Sequence, residues 1–481
     1  MPERRNNFIN GTWVSAESCS VNVNPSDTSD IIGEYAEATE QNVEDAAIAA
    51  QAAFRRWSKS PAIERANLLI KVARELDDRQ VELGELLSRE EGKVRGDGIN
   101  EVAKAAKVFE YFAAEILRPD GDHFPSVREG IDVEAIREPV GVIAVVTPWN
   151  LPIGTPSWKI AAALAFGNCV LFKPSNLVPA CAWALADIID RAGFPPGVFN
   201  CVMGSGSKVG EFVTASRHID AITFTGSNGV GERLAKRAAE RRLKLQMEMG
   251  GKNPLVVLDD ADLDNAVDCA VKGAFYATGQ RCTASSRLIV TRSAYGKFIR
   301  LLVDRMRRLR IGHALAAGVD IGPVASDAQL RQNFNYVDLG QKEGARLAIG
   351  GDPLERDTPG YYMSPALFVD TTNAMRINRD EIFGPIASAI EVRDYEEALA
   401  VANDTPYGLA GGICTSSMKH AQHFKRHAEV GICMVNLPTA GSDFHAPFGG
   451  RKQSSYGSRE LSSYAREFYT TVKTVYSATP S

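Results

Sequence analysis

The chain has 481 residues, 44% of them hydrophobic, enough to bury the cores of two or three domains without help from disulfides or metals. A net charge of −5 leaves no basic footprint, which excludes nucleic acid and anionic membrane surfaces as main partners. Met1-Pro2-Glu3-Arg4-Arg5-Asn6-Asn7 has no apolar core behind its charges, no later apolar run approaches the roughly 18 residues that span a bilayer, and eight cysteines without a CxxC fit a reducing compartment. A soluble, cytoplasmic protein is therefore expected.

Residues 42 to 118 predict helices, with helical apolar spacing in Val43 to Trp57, Ile63 to Arg89 and Glu101 to Ile116. Val127 to Arg137 alternates in part and predicts a strand. The texture then changes: the β-branched run from Val140 to Val146, closed by Thr147-Pro148-Trp149-Asn150, predicts a buried strand. A helix around Ser157 to Phe166, a strand Cys169 to Phe172, a helix Ala180 to Arg191, strands Val198 to Val202 and Ala221 to Phe224, and a helix Asn228 to Arg241 follow. Such alternation implies a parallel sheet covered by helices on both faces. A second alternating series begins at Pro254-Leu255-Val256-Val257-Leu258 and runs to about Val435, giving a second α/β domain. The β-branched and aromatic run Phe468 to Tyr476 predicts another strand; like Val127 to Arg137, it needs a partner edge, so both are candidates for a subunit contact.

Chemistry is concentrated at the ends of these elements. Thr278-Gly279-Gln280-Arg281-Cys282-Thr283 sets one cysteine in a polar, glycine-containing loop, downstream of the acid in Glu248-Met249-Gly250-Gly251-Lys252. A thiol in a cleft is a candidate nucleophile and a carboxylate beside it a candidate base; read alone, Cys282 is equally a small buried hydrophobe, as the other cysteines mostly are. Thr225-Gly226-Ser227 joins a strand to a helix start, an arrangement that holds phosphate, although its glycine spacing is not the usual dinucleotide fingerprint. Lys173-Pro174-Ser175-Asn176 leaves the carboxyl end of a strand, where open α/β sheets bind ligands. Gly204 to Gly210 reads as a turn. Asp260 to Asn265 has the start of a calcium loop without its glycine or its closing glutamate, and reads as a helix cap. His420, His423 and His427 share a helical face, but the nearest acid, Glu429, falls off it, so no metal site is expected.

Taken in order, Thr147-Pro148-Trp149-Asn150, Lys173-Pro174-Ser175, Phe224-Thr225-Gly226-Ser227, Glu248-Met249-Gly250-Gly251-Lys252, Gly279-Gln280-Arg281-Cys282, Glu381-Ile382-Phe383-Gly384-Pro385 and Pro447-Phe448-Gly449-Gly450 resemble the NAD(P)-dependent aldehyde dehydrogenase superfamily over nearly the whole chain. The resemblance implies an α/β fold of two Rossmann-like domains plus a small β oligomerisation element. It assigns residues 1–120 and 141–249 to a cofactor-binding domain, 250–435 to a catalytic domain, and 121–140 with 460–481 to oligomerisation in a homodimer or homotetramer. It implies that Cys282 attacks the aldehyde, that Asn150 and the Cys282 N–H hold the oxyanion, and that Glu248 activates the hydrolytic water. Lys173 would bind the adenosine ribose, Trp149 and Ser227 would line the cofactor cleft, Glu381 would bind the nicotinamide ribose, and Ser175, Asn176, Gly226 and Phe383 belong to the same cofactor site. Many NAD-selective members carry glutamate where this chain has Asn176, so NADP is expected to be accepted alongside NAD.

The C-terminal run from Asn436 to Gly457, with Glu467 to Thr474, is similar to bacterial 2,5-dioxopentanoate (α-ketoglutarate semialdehyde) dehydrogenases. Alternatives are another semialdehyde, an aromatic aldehyde, or a non-catalytic protein on the same fold. A CoA-acylating relative, in which a thiol takes the acyl group, commonly lacks the acid found here at Glu248. No motif names a residue for a substrate carboxylate.

Overall fold

The computed structural model describes residues 4–118 and 121–478. Met1-Pro2-Glu3 and the last three residues of the 460–481 segment lie outside the described residues. Among these, no helix is long and apolar enough to cross a membrane.

An eight-stranded sheet is centred on Val142–Val146. Cys169–Lys173 and Phe199–Cys201 follow on one side, Ala221–Thr225 and Lys244–Glu248 on the other, all five parallel. The chain therefore reverses its strand order between Val142–Val146 and Ala221–Thr225, the point where open sheets leave a crevice at their carboxyl ends. Antiparallel strands close both edges, Ser455–Tyr456 beside Lys244–Glu248 and Asn7–Ile9 with Thr12–Val14 at the far side. The β-branched run of Val142–Val146 is wrapped by helices and almost fully buried, as parallel strands covered on both faces must be.

A seven-stranded sheet runs Arg346–Ile349, Ala366–Val369, Ile386–Val392, Ser285–Thr291, Asn253–Val257, Ala410–Cys414, Ile432–Val435 and is parallel apart from its first strand. The expected α/β character holds in both sheets. Ile131–Pro139 pairs antiparallel with Thr470–Ala478 along its whole length and with Gly121–Phe124 on its other edge. The two segments that sequence patterning left in need of partners thus find each other, and Val472 and Tyr476 remain exposed on the last strand.

Several local expectations are corrected. The helical run Ile63 to Arg89 is broken at Arg79 into Ala62–Asp78 and Gln80–Glu91. Gly204 to Gly210 is a turn only as far as Lys208, since Val209–Ala215 is a helix. Lys244–Glu248 forms a buried parallel strand although Lys, Gln, Met and Glu are weak strand formers, because tertiary packing outweighs propensity there. Asp262 caps the helix Leu263–Ala274, accepting from the N–H groups of Asp264 and Asn265. His423 Nδ1 lies 2.7 Å from the Tyr395 hydroxyl and its ring stacks on His427.

Candidate active site

The loop that carries Cys282 is set by its backbone. Ala277, Thr278 and Gly279 all have positive φ (51°, 56° and 64°), a left-handed run that a β-branched threonine adopts only when its surroundings impose it. Thr278 is held there by its buried hydroxyl, which donates to the carbonyls of Gly322 and Pro323 at 3.2 Å. Gly279 lies against the carbonyl of Gly384 with no room for a Cβ, which ties the cysteine loop to the Phe383 loop. Asn253 Nδ2 then donates to the Cys282 carbonyl at 2.8 Å and to that of Ala284 at 2.9 Å, fixing the peptide on the far side.

Three motif residues meet here. Asn150 is buried; its Nδ2 donates to the Gln280 carbonyl at 3.0 Å, and its own carbonyl accepts from Lys93 Nζ at 2.7 Å. Lys93 is paired with Glu101 at 2.7 Å, and Glu101 Oε1 accepts from the N–H groups of Ile153 and Gly154, which open the helix Gly154–Ala165. The Asn150 peptide is thereby anchored through two helices. Glu248 ends its strand with a buried carboxyl that accepts from the Ser455 hydroxyl and, at 3.3 Å, from Gln246 Nε2. Asn150, Glu248 and Cys282 line one cavity of about 260 Å³ together with Trp149, Gly226, Ser227, Glu381 and Phe383. A second cavity of about 240 Å³ shares Asn150 and Cys282 and opens on the other side of the thiol.

Burial governs the electrostatics. It pushes the Glu248 carboxyl up to about 8, with nearby Glu460 adding to the shift and the Ser455 hydrogen bond opposing it. It pushes the Cys282 thiol up to about 12, reinforced by the carboxylates of Glu381 and Glu248, while the N–H groups of Cys282 and Thr283 favour the thiolate. Glu381 rises to about 7 for the same reason, against a 2.9 Å hydrogen bond from Gly251 N–H. Gly250 is pressed so closely on that carboxyl that a side chain there would collide with it. Trp149 and Phe383 meet edge to face, 5.4 Å between ring centroids.

Lys173, Ser175 and Asn176 do not line this cavity; they occupy the same carboxyl edge of the sheet, one strand away. Lys173 is buried, donates to the Pro174 carbonyl at 2.7 Å, and is lowered to about 8 by burial. Ser175 accepts from Leu177 N–H, and Asn176 is exposed. No side chain caps the first turn of Asn228–Arg241 behind Gly226 and Ser227.

Sequence patterning missed a buried network behind Glu248. Lys159 Nζ donates to the Thr223 hydroxyl at 2.7 Å and to Gln246 Oε1 at 3.3 Å, and is ion-paired with Glu460. These residues come from a helix, two strand interiors and a distant loop, so no local signal could have assembled them.

A doubly wound sheet whose switch point faces a loop-borne thiol, an amide and a buried carboxyl defines a class of oxidoreductase. The chain belongs to the aldehyde dehydrogenase family, whose model matches residues 13–475. It is 41% identical to the alpha-ketoglutaric semialdehyde dehydrogenase of Bacillus subtilis (strain 168), over 98% of this chain and 97% of that protein. It is 39% identical to the alpha-ketoglutarate semialdehyde dehydrogenase of Haloferax volcanii, over 99% of each. Among solved structures, betaine aldehyde dehydrogenase from Staphylococcus aureus in complex with NAD+ superposes with a TM-score of 0.96 at 32% identity, covering 98% of this chain and 95% of that one.

Proposed function

We propose that this protein oxidises an aldehyde to the carboxylic acid with NAD or NADP, and that its substrate is 2,5-dioxopentanoate. The observation that carries the chemistry is the shared cavity of Cys282, Asn150 and Glu248. The substrate follows the names of the relatives above.

The residues present fit a dinucleotide. The uncapped N-terminus of Asn228–Arg241 offers N–H groups to a pyrophosphate, and the buried ammonium of Lys173 offers donors to the adenosine ribose. Ser175 and Asn176 border that ribose site; Trp149, Gly226, Ser227 and Phe383 line the cleft, and Glu381 faces the second ribose. When bound, the cofactor accepts a hydride. Asn176 is exposed and uncharged, so no carboxylate repels a 2′-phosphate, which supports acceptance of NADP as well as NAD.

The Cys282 thiol releases its proton to solvent as its sulfur adds to the aldehyde carbon, and the Asn150 amide with the Cys282 N–H stabilises the oxygen as it gains charge. Loss of hydride leaves a thioester on Cys282. Glu248, once ionised, takes a proton from the water that cleaves the thioester, releasing the acid and the thiol. Residues 1–120 and 141–249 form the cofactor-binding domain and 250–435 the catalytic one. The segments 121–140 and 460–481 form an oligomerisation element, supported by the exposed outer edge of Thr470–Ala478.

The test is an absorbance assay for reduced cofactor with 2,5-dioxopentanoate, shorter semialdehydes and aromatic aldehydes, each with NAD and NADP. The highest kcat/KM is expected for 2,5-dioxopentanoate; higher values for an aromatic aldehyde would replace the substrate assignment, and no turnover with any aldehyde would remove the activity.

A further inference from the structure

The second cavity beside Cys282 is lined by three cationic side chains, Lys93, Lys104 and Arg281, and by two anionic ones, Asp97 and Glu101. They are not equivalent. Lys93 and Glu101 form a buried pair that is already spent on anchoring Asn150, so they cancel. Glu91 also lies 3.8 Å from Lys93, and Asp97 lies near enough to Arg281 to influence it, which leaves Lys104 as the lining cation without a carboxylate beside it. Lys104 is exposed at the cavity, on the same face of the helix Arg95–Glu115 as Asp97 and Glu101, with no carboxylate partner among the described residues. Arg281 immediately precedes the thiol; its guanidinium is tied at one end to the Lys272 carbonyl, and its buried Nε has no partner. The remaining wall is apolar, including Trp158, Phe444 and Phe448.

A cavity with an apolar wall, a nucleophile at one end, one lysine without a carboxylate partner and a guanidinium with an unsatisfied Nε suits a guest that is apolar in the middle and singly anionic at the end remote from its aldehyde. We propose that Lys104 and Arg281 form the subsite for the carboxylate of an aldehyde-acid substrate, and so select monocarboxylated semialdehydes over uncharged aldehydes. This rests on aldehyde oxidation at Cys282 as proposed above. The guanidinium supplies directed donors and the exposed lysine a point charge that draws the anion in.

The experiment compares 4-oxobutanoate with butanal, aldehydes of equal length that differ in the carboxylate. In Lys104→Met and in Arg281→Met the ratio of their kcat/KM values should fall about tenfold or more, equivalent to about 1.4 kcal/mol. Taking a ratio removes any effect of Arg281→Met on the adjacent thiol. Asp97→Asn should move the ratio the opposite way, and rising salt should lower it in the parent. Binding is followed apart from turnover by calorimetric titration of 4-oxobutanoate into Cys282→Ala protein, where adding Lys104→Met should weaken binding by a similar factor. A parent that oxidises neither aldehyde yet shows this charge-dependent binding would sink the oxidation and support the subsite. Ratios and binding that ignore Lys104, Arg281 and Asp97 would overturn the subsite while leaving the oxidation standing.

Discussion

Lys159 and Lys252 are both buried, and they are treated in opposite ways. Lys159 has Thr223, Gln246 and Glu460 as oxygen partners. Lys252 Nζ has no hydrogen-bond partner among the described residues, and burial with the nearby Arg287 pushes it down to about 7. The contrast extends to their neighbourhoods. Lys159 and Glu460 are satisfied and hold helix, strand and C-terminal loop together. Around Cys282 the ionisable groups are desolvated: the carboxyls of Glu248 and Glu381 rise to about 8 and about 7, and the thiol itself is pushed up to about 12. Glu248, Glu381 and Lys252 are thereby set to exchange protons near neutral pH.

If the loop region carries the chemistry, the largest effect belongs to its thiol. Cys282→Ala should lower aldehyde oxidation by roughly 10³-fold or more while cofactor still quenches protein fluorescence at similar concentrations. Residual turnover near the parent rate would move the reaction away from Cys282.

Glu248→Gln should come next, with a fall of about 10²- to 10⁴-fold in steady-state rate. Acylation should survive, so rapid mixing should show a burst of reduced cofactor followed by a stall. The sign of the pH dependence follows from the raised carboxyl: Glu248 is protonated below about 8 and acts as a base only when ionised. Parent turnover should therefore rise as pH passes through about 8, and the variant should lack that rise. A flat parent profile over that range would detach the carboxyl from the rate.

The site residues were legible because each stands within a few positions of a glycine or proline, after a strand for Asn150 and Glu248 and ahead of one for Cys282. Asn150, Glu248 and Cys282 could be named from motifs, and the structure brings all three to one cavity. The α/β alternation was legible for the same reason: buried parallel strands are short β-branched runs. The satisfied region was not. Lys159 and Glu460 are 301 positions apart, and Lys244–Glu248 buries Gln246 and Glu248, which a pattern that puts only the apolar face inside does not foresee. Nor does sequence spacing announce a left-handed Ala277 and Thr278, which the Gly322–Pro323 carbonyls impose. Val127 to Arg137 and Phe468 to Tyr476 read as strands, yet nothing local says that they pair with each other.

The satisfied region should respond in stability before chemistry. Lys159→Met keeps the side-chain length but leaves Glu460 as a buried carboxyl without its cation and Thr223 without its donor, while Gln246 Oε1 keeps only the Thr223 hydroxyl. Breaking a buried pair from one side costs about 3–5 kcal/mol, so the thermal midpoint should fall by several degrees. Replacing Glu460 by Gln in the same chain should recover part of the loss, since the stranded charge is then gone. An unchanged midpoint in the single variant would erase the distinction between the two regions.

Lys252→Met should give the smallest change, and of opposite sign. The native ammonium has no hydrogen bond to lose, and methionine fills a similar volume without a charge to desolvate, so the variant should lie within about 1 kcal/mol of the parent or above it. Its pH dependence separates this from a general packing effect. Lys252 is lowered in the folded protein to about 7, whereas in the unfolded chain it titrates near 10.5. Between those values the unfolded chain holds a proton that the folded one has released, so the parent gains stability from this group as pH rises, and below about 7 it carries the full penalty of burying the ammonium. The advantage of Lys252→Met over the parent should therefore be greatest below pH 7 and shrink as pH approaches 10. Thermal midpoints of both proteins across that range would show it; a variant less stable by the same amount at every pH would mean that the Lys252 ammonium has a partner after all, and that the two lysines differ less than their surroundings indicate.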